Sequence, residues 1–133
     1  MLIPDFLESA AARFPDKSAL WHKQEWMSYA RLESHSNRFA HALREAGVKT
    51  GDRVALLYEN SFRYVIAHFA IFKAGAVNVS LNTETSANSL AFLIQDCEAN
   101  VIIAAGKYLP SLLQIESQIP GLECIFTDHE TPA

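Results

Sequence analysis

The apolar positions of this chain change period along its length. Phe6, Leu7, Ala10, Ala11 and Phe14 recur at helical steps and predict a helix that Pro15 ends. Ser18 to His22 and Glu25 to Ser28 read as two short strands around a polar Lys23-Gln24 turn. Tyr29, Leu32, Phe39, Leu43 and Ala46 restore the helical spacing. Ser28 opens that helix, because its side-chain oxygen can accept a free amide of the first turn. Gly47 closes it, because glycine takes the left-handed C′ position without strain. Arg53 to Tyr58 is apolar without alternation, the mark of a parallel strand buried on both faces. The pattern then repeats. Asn60 or Ser61 caps a helix carrying Val65, Ile66, Phe69 and Phe72, and Ala76 to Leu81 is a strand. Leu90, Leu93, Ile94 and Cys97 mark a helix, and Val101 to Ala104 a strand. Tyr108 to Gln118 is a helix with Pro110 in its first turn, Leu122 to Phe126 a last strand, and Asp128 to Ala133 a polar tail.

From residue 53 to 126 this is β-α-β-α-β-α-β. The fold class it predicts is α/β: a doubly wound parallel sheet with helices on both faces, plus a short N-terminal hairpin. The chain has 133 residues, half of them apolar, which reads as a single domain over residues 1–133 and excludes intrinsic disorder. A net charge of −4, with the cations scattered, excludes the basic footprint of a nucleic-acid binder and a polybasic membrane anchor. No apolar run approaches the roughly 20 residues of a membrane span, and Asp5 and Glu8 fall where a signal peptide would be apolar. Cys97 and Cys124 form no CxxC pair, so the expectation is two reduced thiols in a cytoplasmic protein.

Candidate chemistry is sparse. The five glycines build neither GxGxxG nor GxxxxGK[ST], so no glycine-rich phosphate loop lies in the sequence. Glu59-Asn60-Ser61 follows a strand and opens a helix, where open α/β sheets place ligands. Asn82-Thr83-Glu84-Thr85 holds the matching place one unit later. The cofactor-binding candidates are therefore Asn60, Ser61 and Asn82, against the simpler reading of a helix cap and an Asx turn. Asp52-Arg53 is ordinary turn chemistry before a strand. His22, His35, His41, His68 and His129 have no metal-ligand spacing, so no metal site is expected. No serine sits in a G-x-S-x-G elbow and no cysteine has a histidine on its element, so no catalytic residue is expected either. Trp21, Trp26 and Tyr29 are expected to pack against the first helix.

Several stretches together resemble the adenylate-forming superfamily of acyl-CoA synthetases, luciferases and peptide-synthetase adenylation domains. Phe14-Pro15-Asp16-Lys17-Ser18-Ala19-Leu20 is similar to its "P-D-k-x-A-l" opening, and Ser28-Tyr29-Ala30-Arg31-Leu32 to "T-Y-x-E-L". Asn37-Arg38-Phe39-Ala40 with Leu43 and Gly47, then Gly51-Asp52-Arg53-Val54-Ala55, continue the likeness. Phe72-Lys73-Ala74-Gly75-Ala76-Val77 resembles "l-k-A-G-a-v", and Leu81-Asn82 the end of "v-P-l-N-P". Arg31 departs from the family's glutamate, which removes a capping box and places a cation against the helix dipole. Ser80 and Thr83 replace two prolines.

The resemblance implies the first subdomain of the large N-terminal domain of an AMP-dependent synthetase or ligase. The parent it implies activates a small-molecule carboxylic acid with ATP and Mg²⁺ as an acyl-adenylate and passes the acyl group to CoA. The family's phosphate loop, acyl pocket, metal carboxylate and mobile C-terminal domain lie downstream of the matching motifs. These residues alone are therefore expected to hold no cofactor, to be inactive, and to have the remainder of the parent chain as partner. Two other readings stand beside this one: a non-catalytic α/β docking module, and a small nucleotide-binding protein using the Asn60 and Asn82 crevice.

Overall fold

The computed structural model describes residues 1–128, so of the expected polar tail only Asp128 is included, and His129 lies outside the described residues. Helix α1 (Ile3–Arg13) leads into a hairpin of β1 (Ser18–His22) and β2 (Glu25–Ser28), followed by α2 (Tyr29–Glu45). The repeating part is β3 (Arg53–Leu57), α3 (Phe62–Lys73), β4 (Val77–Ser80), α4 (Ala87–Asp96), β5 (Val101–Ala104), α5 (Leu109–Ile115) and β6 (Cys124–Thr127). Short 3₁₀ turns, Gly106–Tyr108 and Glu116–Gln118, flank α5 and break the single helix expected there.

β3 to β6 pair in parallel in the order β4-β3-β5-β6, with Val54 opposite Asn78 on one side and Val101 on the other. Strand alternation divides the core into two layers. Val54, Leu56, Val101 and Ile103 face α2 and α3, where they meet Leu43, Ala70 and Ile71. Ala55, Leu57, Ile102 and Ala104 face the other way, onto Leu90 and Ile94 of α4 and Leu112 and Ile115 of α5. β3 and β5 are buried on both faces, as the unbroken apolar runs require. A smaller cluster of Leu7, Met27 and Leu32 seats α1 and the hairpin on the outer side of α3, against Phe62, Val65 and Phe69.

The helix caps follow the sequence. Ser28, Ser61 and Ser86 each accept an amide of the first turn with the side-chain oxygen. The C-termini of α2, α3 and α4 share one device: Val48, Ala76 and Ala99 donate their amides back to Leu43, Ile71 and Ile94 across a left-handed residue. That residue is glycine at Gly47 and Gly75 but glutamate at Glu98, whose φ is +57°.

Several expectations need correction. Phe6 and Phe14 are exposed, so of the α1 stripe only Leu7 is fully buried. Trp21 and Trp26 are 54% and 60% exposed and pack on each other, ring centroids 4.8 Å apart, rather than against α1. The reason is the hairpin itself: Trp21 and Trp26 are directly opposed across the two strands, on the face turned away from Met27. Leu93 faces outward on α4, beside the exposed Phe92. The last strand starts at Cys124, two residues beyond the expected Leu122.

Candidate functional site

The connection β3-α3-β4 leaves β3 in one direction, and β4-α4-β5 returns to its other side. The chain therefore reverses at the β3/β5 boundary, and loops leaving the carboxyl ends of these two strands diverge. Open α/β sheets place their ligand crevice at such a switch point. Here the β3 end supplies Tyr58 to Ser61, the β5 end supplies Ala105 and Lys107, and Lys23 of the hairpin turn closes a third side. The crevice measures about 450 Å³.

Ion pairs organise its walls. Lys107 Nζ bonds Glu59 Oε1, which also accepts the Tyr108 hydroxyl at 3.2 Å. Those two donors hold the Glu59 carboxyl below its ordinary range, and Glu59 in turn raises Lys107. Asp128 draws three elements together: its carboxylate accepts the Gly106 amide, pairs with Arg63 of α3 and faces Tyr58. Burial alone pushes the Asp128 carboxyl up, but the Gly106 amide, Arg63 and Tyr58 together hold it below the usual value. Burial, and then the Asp128 charge, push the Tyr58 hydroxyl up to about 12, so it stays a neutral donor. A Cβ at Gly106 would stand 2.9 Å from the Asp128 carbonyl oxygen, which makes glycine a packing requirement there.

Of the expected site residues, Asn60 and Ser61 line the crevice and Asn82 does not. Ser61 acts as the cap of α3, accepting the Tyr64 amide at 3.1 Å and donating to the Glu59 carbonyl at 3.0 Å. Asn82 lies at the end of edge strand β4, on the far side of β3 from β5. Its side chain accepts the Glu84 amide at 2.9 Å, the Asx turn that the simpler reading gave it. Asn60 is exposed and makes no side-chain hydrogen bond among the described residues. Lys23, Arg63, Lys107 and Asp128 were not among the candidates. The missing signal was strand order: reading β4 as the partner of the β3 loop pointed to Asn82, whereas the switch point pairs β3 with β5.

The sequence model of the AMP-binding enzyme family matches residues 7–132. The chain belongs to that family. A medium/long-chain-fatty-acid–CoA/3-oxocholest-4-en-26-oate–CoA ligase of Mycolicibacterium smegmatis is 32% identical over 123 residues, 92% of this chain and 22% of that ligase. Bacitracin synthase 3 of Bacillus licheniformis is 33% identical over 103 residues, 77% of this chain and 2% of the synthase. The crystal structure of the anthranilate CoA ligase AuaEII in complex with anthranoyl-AMP superposes with a TM-score of 0.93 at 30% identity, over 100% of this chain and 26% of that one. This chain thus spans about a fifth of the length of the ligase it matches.

Several of the quoted family motifs fall on caps and turns, while Asn37 to Leu43 lies inside α2 with Ala40 and Leu43 buried. Ser28 of "S-Y-A-R-L" caps α2. Asp52 of "G-D-R-V-A" accepts the Lys49 amide at 2.8 Å. The Gly51 amide donates to the Gly75 carbonyl at 2.9 Å, tying that motif to "K-A-G-A-V" across the amino ends of β3 and β4. The crevice does not fit a magnesium–triphosphate group: Glu59 and Asp128, the carboxylates lining it, are committed to Lys107 and Arg63. Among the described residues no three His, Cys, Asp or Glu side chains gather as a metal site.

Proposed function

We propose that this chain is the first structural unit, a single domain over residues 1–133, of an AMP-forming acid–thiol ligase. The parent activates a carboxylic acid with ATP and Mg²⁺ as an acyl-adenylate and transfers the acyl group to CoA. The observation that carries the reading is the superposition of the whole chain, at 30% identity, on an anthranilate CoA ligase. The role of this unit is support: its family motifs build caps and turns, and its crevice side chains pair with one another. Asn60 is the candidate left available for a ligand, since Ser61 and Asn82 hold a cap and a turn. A cytoplasmic location belongs to the same reading, in keeping with two free thiols and the absence, among the described residues, of a helix long and apolar enough to cross a membrane.

The unit alone should not adenylate. Pyrophosphate exchange by the purified chain with a panel of fatty and aryl acids should stay at background, and a signal well above it overturns the assignment. Exposed apolar side chains favour a second role, docking: Phe92 of α4 and Leu113 of α5 are 65% and 54% exposed on the outward side of their layer. A hydrophobic dye should bind the chain. A dye-silent, strictly monomeric chain counts against docking.

A further inference from the structure

We infer that His68, Asn78, Ser80 and Tyr64 form a pH-driven switch between α3 and the edge strand β4. A proton on the imidazole turns the Asn78 amide over and reverses the hydrogen-bond chain as far as the Tyr64 hydroxyl. Asn78 Nδ2 stands 3.1 Å from His68 Nδ1 and donates to Ser80 Oγ at 2.9 Å. Ser80 Oγ in turn lies 3.1 Å from the Tyr64 hydroxyl. An amide nitrogen donates and does not accept, so His68 Nδ1 is the acceptor and the neutral ring carries its hydrogen on Nε2. Asn78 Oδ1, at the other corner of the amide, is buried without a partner.

Each charge state of the ring selects one sense of the amide. The imidazolium has hydrogens on both nitrogens, so Nδ1–H would face the Nδ2 hydrogens, donor against donor. Half a turn of the amide brings Oδ1 to the same two neighbours, where it accepts from Nδ1–H and from the Ser80 hydroxyl. Two bonds and one unpaired buried atom are present before and after, so the amide's own satisfaction does not oppose the turn. In the neutral state Ser80 accepts from Asn78 and gives its hydrogen to Tyr64. After the turn that hydrogen belongs to Oδ1, and Ser80 can only accept from Tyr64. The surroundings leave the decision to this one proton. Tyr64 is the titratable group facing the imidazole from α3 itself, ring centroids 5.9 Å apart, and Phe69 and Phe72 pack on it from the same helix. β4 offers Asn78 and Ser80, which do not titrate, and on the α2 side Lys73 is spent on Glu33. Burial holds the imidazole below its ordinary range, so the turn falls below about pH 6.5. Ser80 stands where the family motif has proline, which has no hydroxyl, so the relay belongs to this chain and not to the motif.

The test follows the 133-residue chain by NMR from about pH 8 to pH 5, a range that brackets a histidine titration. At the alkaline end the nitrogen shifts of His68 should show Nδ1 bare and Nε2 protonated, and the Asn78 Nδ2 hydrogens should give NOEs to the His68 ring and the Ser80 β-hydrogens. In acid those NOEs should vanish, and the Asn78 amide and Tyr64 Cζ signals should move with the His68 midpoint. Ser80→Ala, at an exposed position, should keep the change at Asn78 and remove the one at Tyr64. His68→Gln should hold the Asn78 amide in one sense across the whole range. A neutral His68 with its hydrogen on Nδ1 overturns the switch, as do Asn78 NOEs that persist in acid or an amide that still turns in His68→Gln. A Tyr64 Cζ titration that survives in Ser80→Ala overturns the relay, because it then reports only the field of the neighbouring ring.

Discussion

Lys73 and Glu33 form the ion pair that locks α3 to α2, and breaking it should be the costliest polar change in the molecule. Lys73 Nζ lies 2.8 Å from Glu33 Oε1, and the two side chains are only 10% and 16% exposed. Glu33 Oε1 also accepts Asn37 Nδ2 at 3.1 Å, while Oε2 is buried without a partner. Lys73→Met keeps the apolar stem and removes the charge, which strands a desolvated carboxylate. Removing one member of a fully buried pair costs roughly 3–5 kcal/mol. The residual exposure places this one at the lower end, about 3 kcal/mol. At the scaling for a domain of this size that is a fall in Tm on the order of 10 °C. Glu33→Leu should cost less, about 1.5–2 kcal/mol, because the longer lysine can carry its ammonium outward. The double variant Glu33→Leu/Lys73→Met replaces the pair by apolar contact and removes the orphaned Oε2. It should therefore lie within about 1 kcal/mol of the parent. The assay is urea unfolding by far-UV circular dichroism at pH 7, repeated in 1 M NaCl. Salt should leave the coupling largely intact, since a buried pair is poorly screened. A Lys73→Met cost under about 1 kcal/mol, or a double variant as unstable as its two singles combined, refutes the reasoning.

Glu98 occupies the left-handed C′ position that Gly47 and Gly75 hold on the preceding helices, and its bond to Arg53 at 3.4 Å is exposed. Glu98→Gly should raise stability by about 0.5–1 kcal/mol after the entropy of the unfolded glycine is subtracted, read as a higher urea midpoint. Burial holds the His68 imidazole below its ordinary range, and its Nδ1 faces Asn78 Nδ2 at 3.1 Å. The unfolded chain thus takes up the proton first, and stability falls as pH drops from about 6.5 through the depressed value. His68→Gln should flatten that slope in an unfolding series from pH 7.5 to 5, and the contribution of His35, lowered by burial and then by Arg38 and Arg31, should remain. Asp128 has the opposite chemistry and a lower window: its depressed carboxyl stabilises the fold above about pH 4 and loses that contribution as the pH falls through the folded value. The gap between the parent and Asp128→Asn, measured by unfolding at each pH, should therefore be full at pH 7 and close in acid. Gly106→Ala should cost about 1–3 kcal/mol by thermal melting, since its methyl meets the backbone carbonyl of Asp128.

The architecture was legible because its signals are local. A serine before an apolar helical stripe favours a cap, and Ser28 and, of the Asn60/Ser61 pair, Ser61 take that role. Runs such as Val101 to Ala104 have no polar side to show solvent, so they can only be interior strands of a covered sheet. Surface and site were less legible because their decisions are not local. Trp21 is as apolar as Met27, and which of the hairpin's faces meets α3 depends on register and on the turn at Lys23 and Gln24, both at positive φ. The same holds more strongly for the crevice. Glu59 and Lys107 stand 48 positions apart, and Arg63 and Asp128 stand 65 apart. Of the four, only Glu59 lies in a stretch that the sequence singles out, beside Asn60 and Ser61. The four meet because the chain reverses beside β3, a property of strand order that no window of sequence contains. The family motifs supply the complement of this. They mark where the backbone must turn, at Gly51, Asp52 and Gly75, and so preserve the fold without naming the residues at its crevice. The chemistry of the crevice therefore has to be read from side chains in space.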